Sequence, residues 1–263
     1  MAALPGGLAA QTGNSAASAE LVIIKTPRGA NQAFILIKPE KPVASVILFA
    51  GGNGGLGLKS TTEMAWGKGN FLVRSRDKFA AQGLMVAVMD APSDNQRGMQ
   101  ATFRFSLEHA ADIDAVAAHL KKAVNVPVWA VGTSMGTWSA ANGAIAGKNI
   151  DGLVLTSSVT RAKPEWAIAK SHPDGIANLP LSLIRGPVLI MSHKKDGCAI
   201  TPAADAGKLT KALTAARKVE VILMDGGASP ESDPCEAKSE HGFLGIEGDA
   251  IARIANFIKT NAR

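Results

Sequence analysis

Tyrosine is absent from the sequence, aromatic residues of all kinds make up 5%, and cysteine occurs only twice. Without stacking surfaces, an excess of 28 Lys and Arg over 22 Asp and Glu, net charge +6, is a poor basis for nucleic-acid binding. The basic residues are also scattered, clustering no further than doublets such as Lys121-Lys122 and Lys194-Lys195. They read as a solvated surface that modestly attracts anions, and no nucleic-acid partner is expected. No apolar run approaches the roughly 20 residues that a membrane helix requires, so no integral membrane segment is expected. Five dispersed histidines and two cysteines offer no ligand spacing, and neither a metal nor another cofactor is expected. The opening is short of charge as well: the first lysine is Lys25, and Met1 to Ala19 lacks the positive region and apolar core of a signal peptide.

What is present suits a globular chain. Apolar residues reach 46% against 19% charged, and 263 residues suffice for one large α/β domain with a substantial core. Residues 1–19, rich in Gly, Ala and Ser, are expected as a flexible leader, and Ala17-Ser18-Ala19 resembles the tail of a cleavage site whose upstream part is absent. Residues 20–263 are expected to form the domain.

Alternating or continuous apolar runs predict strands at Leu21 to Lys25 and Ala33 to Lys38, joined as a hairpin, then at Val43 to Ala50, Leu84 to Met89, Val128 to Val131, Leu153 to Thr156, Val188 to Met191 and Val219 to Met224. Helical spacing predicts helices over about 71–81, 107–123, 137–146, 203–215 and 246–259, with Ser106 as a cap. The 93–103 stretch is expected as a polar loop. The stretch 157–186, with Pro164, Pro173 and Pro180, is expected as a short lid at most. Strands alternating with helices predict a mainly parallel sheet covered on both faces.

The most informative stretch is Gly132-Thr133-Ser134-Met135-Gly136, between a buried strand and a helix. Gly-x-Ser-x-Gly in a strand–turn–helix setting is the pattern of a nucleophile elbow, whose tight turn lifts the serine above the carboxyl edge of a sheet. By itself the pattern is common in a chain with 27 glycines, so the rest of the chain must supply context. A second glycine-rich run, Gly51-Gly52-Asn53-Gly54-Gly55, follows the strand ending at Ala50 and suggests backbone that must approach something closely. Functional loops gather at the carboxyl ends of parallel strands. There Asp196 follows one strand, and His241 lies between the last strand and the last helix.

The order Ser134, Asp196, His241, with the elbow and the glycine loop, resembles the α/β-hydrolase superfamily over nearly the whole chain from about residue 20, and most of all its small dienelactone-hydrolase-like and carboxylesterase-like members. One departure is Ala50, where many members carry His before the glycines. The resemblance implies a mostly parallel eight-stranded sheet with helices on both faces and a short lid. It also implies a serine hydrolase that cleaves a small-molecule carboxylic ester through an acyl-enzyme. Ser134 would be the nucleophile, His241 the base and Asp196 its orienting acid, and backbone N–H groups of Met135 and of Gly52 or Asn53 would form the oxyanion hole. The same triad could serve a thioesterase, amidase, acyltransferase or lyase, and a noncatalytic ligand-binding member is the alternative of another class.

Other readings stay open at this point. His193 is a rival base and Asp225 a rival acid, Asp90 reads as a loop anchor, and His109, His119 and His172 read as packing or surface residues. Trp66, Phe103, Trp138 and Trp166 are candidate pocket walls, and Arg97 and Arg104 lie in a loop expected to overhang the site, where either could receive a substrate carboxylate or simply face solvent. Cys198 and Cys235 sit near Asp196 and His241, so a disulfide joining those loops is expected if the triad forms, with two separate thiols as the alternative. A bridge would imply an oxidising compartment, periplasmic or extracellular; otherwise a cytoplasmic one. Oligomeric state is not legible.

Overall fold

A computed structural model describes residues 17–262. Most of the expected leader therefore lies outside the described residues, and Ser18 and Ala19, counted in it, instead open the first strand. Eight strands form one sheet: β1 (Ser18–Lys25), β2 (Asn31–Lys38), β3 (Ala44–Phe49), β4 (Leu84–Met89), β5 (Val128–Ser134), β6 (Gly152–Ser158), β7 (Val188–His193) and β8 (Val219–Met224). Their order across the sheet is β1-β2-β4-β3-β5-β6-β7-β8. β1 pairs with β2, and β2 with β4, antiparallel; every later neighbour is parallel. The mostly parallel eight-stranded sheet expected from the sequence is therefore what the chain forms.

The central strands are continuous apolar runs because both of their faces are covered. In β3, Ile47 and Phe49 join the core on one face, while Ala44, Val46 and Leu48 join the core on the other. β5 divides likewise, with Val128 and Ala130 on the first face and Trp129 and Val131 on the second. The first face is covered by α4 (Leu107–Ala123), α5 (Gly136–Ala146) and α6 (Ala206–Ala212), and the second by α1 (Phe71–Arg74), α2 (Arg76–Ala81) and α7 (Glu247–Asn261). α4 starts at Ser106, whose hydroxyl accepts the His109 N–H at 3.2 Å, and buries Ile113, Val116, Ala117 and Leu120 on one stripe. α7 buries Ile251, Ile254, Ala255 and Ile258 in the same way.

Three elements depart locally from the expected bounds. The helix expected over 71–81 is two short helices that meet at Ser75, a break of one residue that a 3.6-residue period does not register. Helix 203–215 begins as a 3-10 turn, Ala203–Asp205, and ends at Ala212. The 93–103 loop ends in an added helical turn, α3 (Ala101–Arg104), which carries the buried Arg104. The 157–186 connection holds two 3-10 turns, and its Ile176, Leu181 and Ile184 are buried in the first-face core. No helix among the described residues is long and apolar enough to cross a membrane.

Cys198, after β7, and Cys235, after β8, form a disulfide that closes a 37-residue separation. A bridge across such a loop restricts the unfolded chain by about 4 kcal/mol on the chain-entropy estimate. The double variant Cys198→Ser/Cys235→Ser should lose about that much unfolding free energy in urea. Thiol titration of the denatured, unreduced protein should find no free thiol.

Candidate active site

The turn from β5 into α5 is set by close backbone approach. A Cβ at Gly132 would lie 2.5 Å from the Gly136 carbonyl oxygen, and one at Gly136 would collide with the carbonyl of Phe49 at the end of β3. Between these glycines Ser134 takes φ of +52°, a left-handed conformation that costs a non-glycine residue about 1–2 kcal/mol. Ser134 lines a cavity of about 260 Å³ together with Gly51, Gly52, Trp66, Asn70, Phe71, Glu236 and His241.

His241 sits in a 3-10 turn, Glu240–Gly242, whose backbone is held on several sides. Its own N–H donates to Ser239 Oγ (3.2 Å), its carbonyl accepts from Ser157 Oγ (2.8 Å), and the next carbonyl, Gly242, accepts from the Arg74 guanidinium (2.7 Å). The ring is fixed through Nδ1, 3.0 Å from Asp196 Oδ2, with side chains 5% and 0% exposed. The Asp196 carboxylate also accepts from the Cys198 N–H (2.9 Å) and from Thr201 Oγ1 (3.1 Å), so its buried charge is fully bonded. With Nδ1 facing a carboxylate, Nδ1 carries a proton, and in the neutral ring Nε2 carries the lone pair. Nε2 is buried and makes no hydrogen bond among the described residues.

The glycine loop after β3 runs along the same cavity. Asp90 Oδ1 and Oδ2 accept N–H groups from Leu56, Gly57 and Leu58, which anchors the loop's far end. Gly52 has φ of +56°, and a Cβ there would lie 2.6 Å from the Trp66 ring. Among the described residues, the N–H groups of Gly52, Asn53 and Met135 donate to no carbonyl or side chain. A second cavity, of about 400 Å³, shares the Gly52 wall and is bounded by Asn53, Arg97, Met99, Ala101, Met135, Glu165, Trp166 and Ile168.

Several sequence expectations find a different place. Trp138 is wholly buried against Phe105 and His172, ring centres 5.5 and 5.7 Å away, and walls neither cavity, since the helix that carries it faces the core. Phe103 packs on His109 (5.2 Å) and under the Arg28 guanidinium (5.7 Å), again away from both cavities. Arg104 neither overhangs the site nor meets solvent; it is fully buried and bonded to backbone carbonyls. Trp66 lines the serine cavity, while Trp166 and Arg97 line its neighbour.

The rival residues are engaged elsewhere. His193 accepts the Lys195 N–H on Nδ1 and donates from Nε2 to the Gly226 carbonyl. The Asp225 side chain is 54% exposed and pairs with Lys194; the Gly226 N–H and then Lys194 hold its pKa below the ordinary value. Sequence reasoning missed Thr201, Ser157, Ser239 and Arg74, for which no motif exists: each matters only because the fold brings it to the Asp196 or His241 loop.

Behind the glycine loop, His109 Nε2 lies 2.9 Å from Ser139 Oγ, which also accepts from Arg104 Nη1 at 3.1 Å. Burial, then the Arg104 and Arg28 charges, push the His109 pKa down to about 3, so the ring is neutral.

Neither the family models nor the curated protein sequences compared with this chain match it. Solved structures do. The esterase Pf2001 of Pyrococcus furiosus superposes with a TM-score of 0.68 at 15% identity, over 94% of this chain and 92% of its own. A cold-adapted esterase from an Arctic intertidal metagenomic library gives 0.62 at 12% identity over 95% and 96%. A Rhizomucor miehei esterase gives 0.60 at 16% identity over 95% and 84%. At these identities the likeness is one of fold.

Neutral His109 makes stability depend on acid. Its folded pKa of about 3 lies below the ordinary 6.5, so the unfolded chain binds the extra proton between those values. Stability from this group is complete above pH 6.5 and falls as pH drops toward 3, by up to about 1.4 kcal/mol per pH unit. Urea unfolding at pH 7 and pH 4.5 should show a smaller loss for His109→Asn than for the wild type.

Proposed function

We propose that this chain, which has the α/β-hydrolase fold, is a serine hydrolase that cleaves a small-molecule carboxylic ester. The observation that carries this reading is His241: its Nδ1 is held by a fully bonded buried carboxylate, and its unpartnered Nε2 belongs to a ring lining the cavity that Ser134 also lines. A neutral imidazole so fixed is ready to accept one proton and to gain attraction from Asp196 as it does. The same superfamily resemblance and the esterases among its structural likenesses point the same way.

In this mechanism Ser134 Oγ attacks the acyl carbonyl while its proton passes to His241 Nε2. The oxyanion is received by unpartnered N–H groups of Met135 and of Gly52 or Asn53. His241 then gives its proton to the departing alcohol oxygen, leaving an acyl-Ser134. Water, deprotonated by the same nitrogen, attacks this ester and releases the acid. Because the leaving oxygen must meet His241, the alcohol belongs in the cavity of about 260 Å³ and the acyl chain in the one of about 400 Å³ across the Gly52 wall. Both volumes suit groups of small to medium size. The Cys198–Cys235 bridge supports an oxidising workplace, periplasmic or extracellular.

Hydrolysis of p-nitrophenyl esters of increasing acyl length tests the reading. Ser134→Ala should lose nearly all activity, a factor on the order of 10⁶ in comparable triads. Asp196→Asn should fall by about 10⁴, and Asp225→Asn by less than about twofold. Equal activity in wild type and Ser134→Ala would overturn it. Trp166→Ala, which enlarges the acyl cavity, should move the preferred acyl length upward without changing the response to the alcohol.

A further inference from the structure

Arg104 is a fully buried cation that the proposed reaction leaves unused. No carboxylate touches it among the described residues. Its Nε donates to the Met99 carbonyl (3.3 Å), its Nη1 to Ser139 Oγ (3.1 Å) and the Ala50 carbonyl (3.5 Å), and its Nη2 to the Gly52 carbonyl (3.1 Å). Burying a charge with no counter-charge is strongly unfavourable, and a neutral side chain of the same length would fill the space without that penalty. Burial lowers the pKa only to about 10, so the guanidinium is charged at neutral pH.

The helical turn that carries it is fixed in turn. The Asn142 side-chain amide donates to the carbonyls of Arg104 (3.1 Å) and Ser106 (2.7 Å), which ties α3 to α5, the helix that begins at the elbow. Arg104 thus joins the helix behind Ser134 to the glycine loop in front of it. In a trans peptide the C=O and the following N–H point in opposite directions. Anchoring the carbonyls of Ala50 and Gly52 on Arg104 therefore turns the N–H groups of Gly51 and Asn53 away from it and holds the Gly52 amide between two clamped peptide planes. A cation behind these carbonyls also strengthens the N–H of the same peptide as a donor.

We propose that Arg104 is the positioning residue of the oxyanion loop: its planar fork holds the peptides around Gly52 so that their N–H groups stay aimed at the carbonyl oxygen above Ser134. This rests on the serine-hydrolase reading. It predicts an effect on the chemical step and not on substrate binding, because the donors are needed most as the oxyanion forms.

The test compares kcat and KM for a p-nitrophenyl ester, and affinity for an aryl trifluoromethyl ketone, in Arg104→Met, Arg104→Lys and Ser139→Ala, with Ser134→Ala as control. Arg104→Met should lower kcat by about 100-fold with KM within about twofold, the scale of a donor misplaced by 1 Å. Lys keeps the charge but loses the fork, and should recover about tenfold of that loss; affinity for the ketone, whose serine adduct carries an oxyanion, should fall in step with kcat. Ser139→Ala removes one tether without touching the charge and should lower kcat by about fivefold, again with KM held. Folded Arg104 variants with wild-type kcat, or with loss confined to KM, would overturn the proposal. If neither Arg104 variant folds, Ser139→Ala decides, and wild-type kcat there overturns it. Wild type no more active than Ser134→Ala would instead remove the hydrolase reading and this proposal with it.

Discussion

The contact between the first turn of α5 and the end of β3 governs the geometry of everything around it. With no space for a Cβ at Gly136 against the Phe49 carbonyl, or at Gly132 against the Gly136 carbonyl, the helix can start directly above the strand edge. The chain then reverses within two residues, and Ser134 absorbs the reversal in a left-handed conformation. The same closeness brings the loop after β3 beside the serine: a Cβ at Gly51 would lie 3.0 Å from Ser134 Cβ. A helix start, a strained serine and a backbone-lined loop are thus one packing solution, held in place by the cores on both faces of the sheet.

Two buried ionic groups stand on either side of this solution, and they are treated oppositely. Asp196 has three donors, His241 Nδ1 among them, so a proton arriving on a neutral His241 ring would turn that hydrogen bond into an ion pair. In the proposed reaction that attraction would grow as the proton moves instead of being complete beforehand. Arg104 has no such partner and lies against carbonyl oxygens, with His109 kept neutral beyond Ser139. With His241 neutral, the acid side of the site carries the negative charge of Asp196, while the side beneath the glycine loop carries the positive charge of Arg104. That asymmetry suits chemistry in which negative charge appears on one oxygen and positive charge on one ring.

The fold was legible in the sequence because its signals are local or periodic. Continuous apolar runs such as Val46 to Leu48 mark strands buried on both faces, and the Gly132 to Gly136 pattern marks a turn that only small residues permit. That Asp196 and His241 would meet was legible from their positions after strands, since a parallel sheet gathers those loops at one edge. Arg104 was not, because a charged residue in a polar stretch reads as solvent-facing unless its acceptors are known, and these are carbonyls of residues 50, 52 and 99, which every sequence carries. Trp138 failed for a related reason: helical spacing places it on a face of α5 but does not say which face meets the core. Thr201 and Ser157 carry no signal at all, being small hydroxyls among many.

Ser157 shows how the sheet itself enters the site. Along β5 and β6, Thr133 pairs with Thr156 but Ser134 pairs with Ser158, so Ser157 is an extra residue in the partner strand, directly beside the strained serine. It too has positive φ, +44°, and is fully buried. A bulge lets a strand re-aim a side chain that strict alternation would send to a face of the sheet, and here the hydroxyl reaches the His241 carbonyl at 2.8 Å. The two neighbouring serines in left-handed conformations therefore do complementary work: one lines the cavity, and the other fixes the backbone of the histidine that lines it too. Strain in both strands is concentrated at the edge where the proposed reaction occurs, and the regular parallel pairing below holds that edge in place.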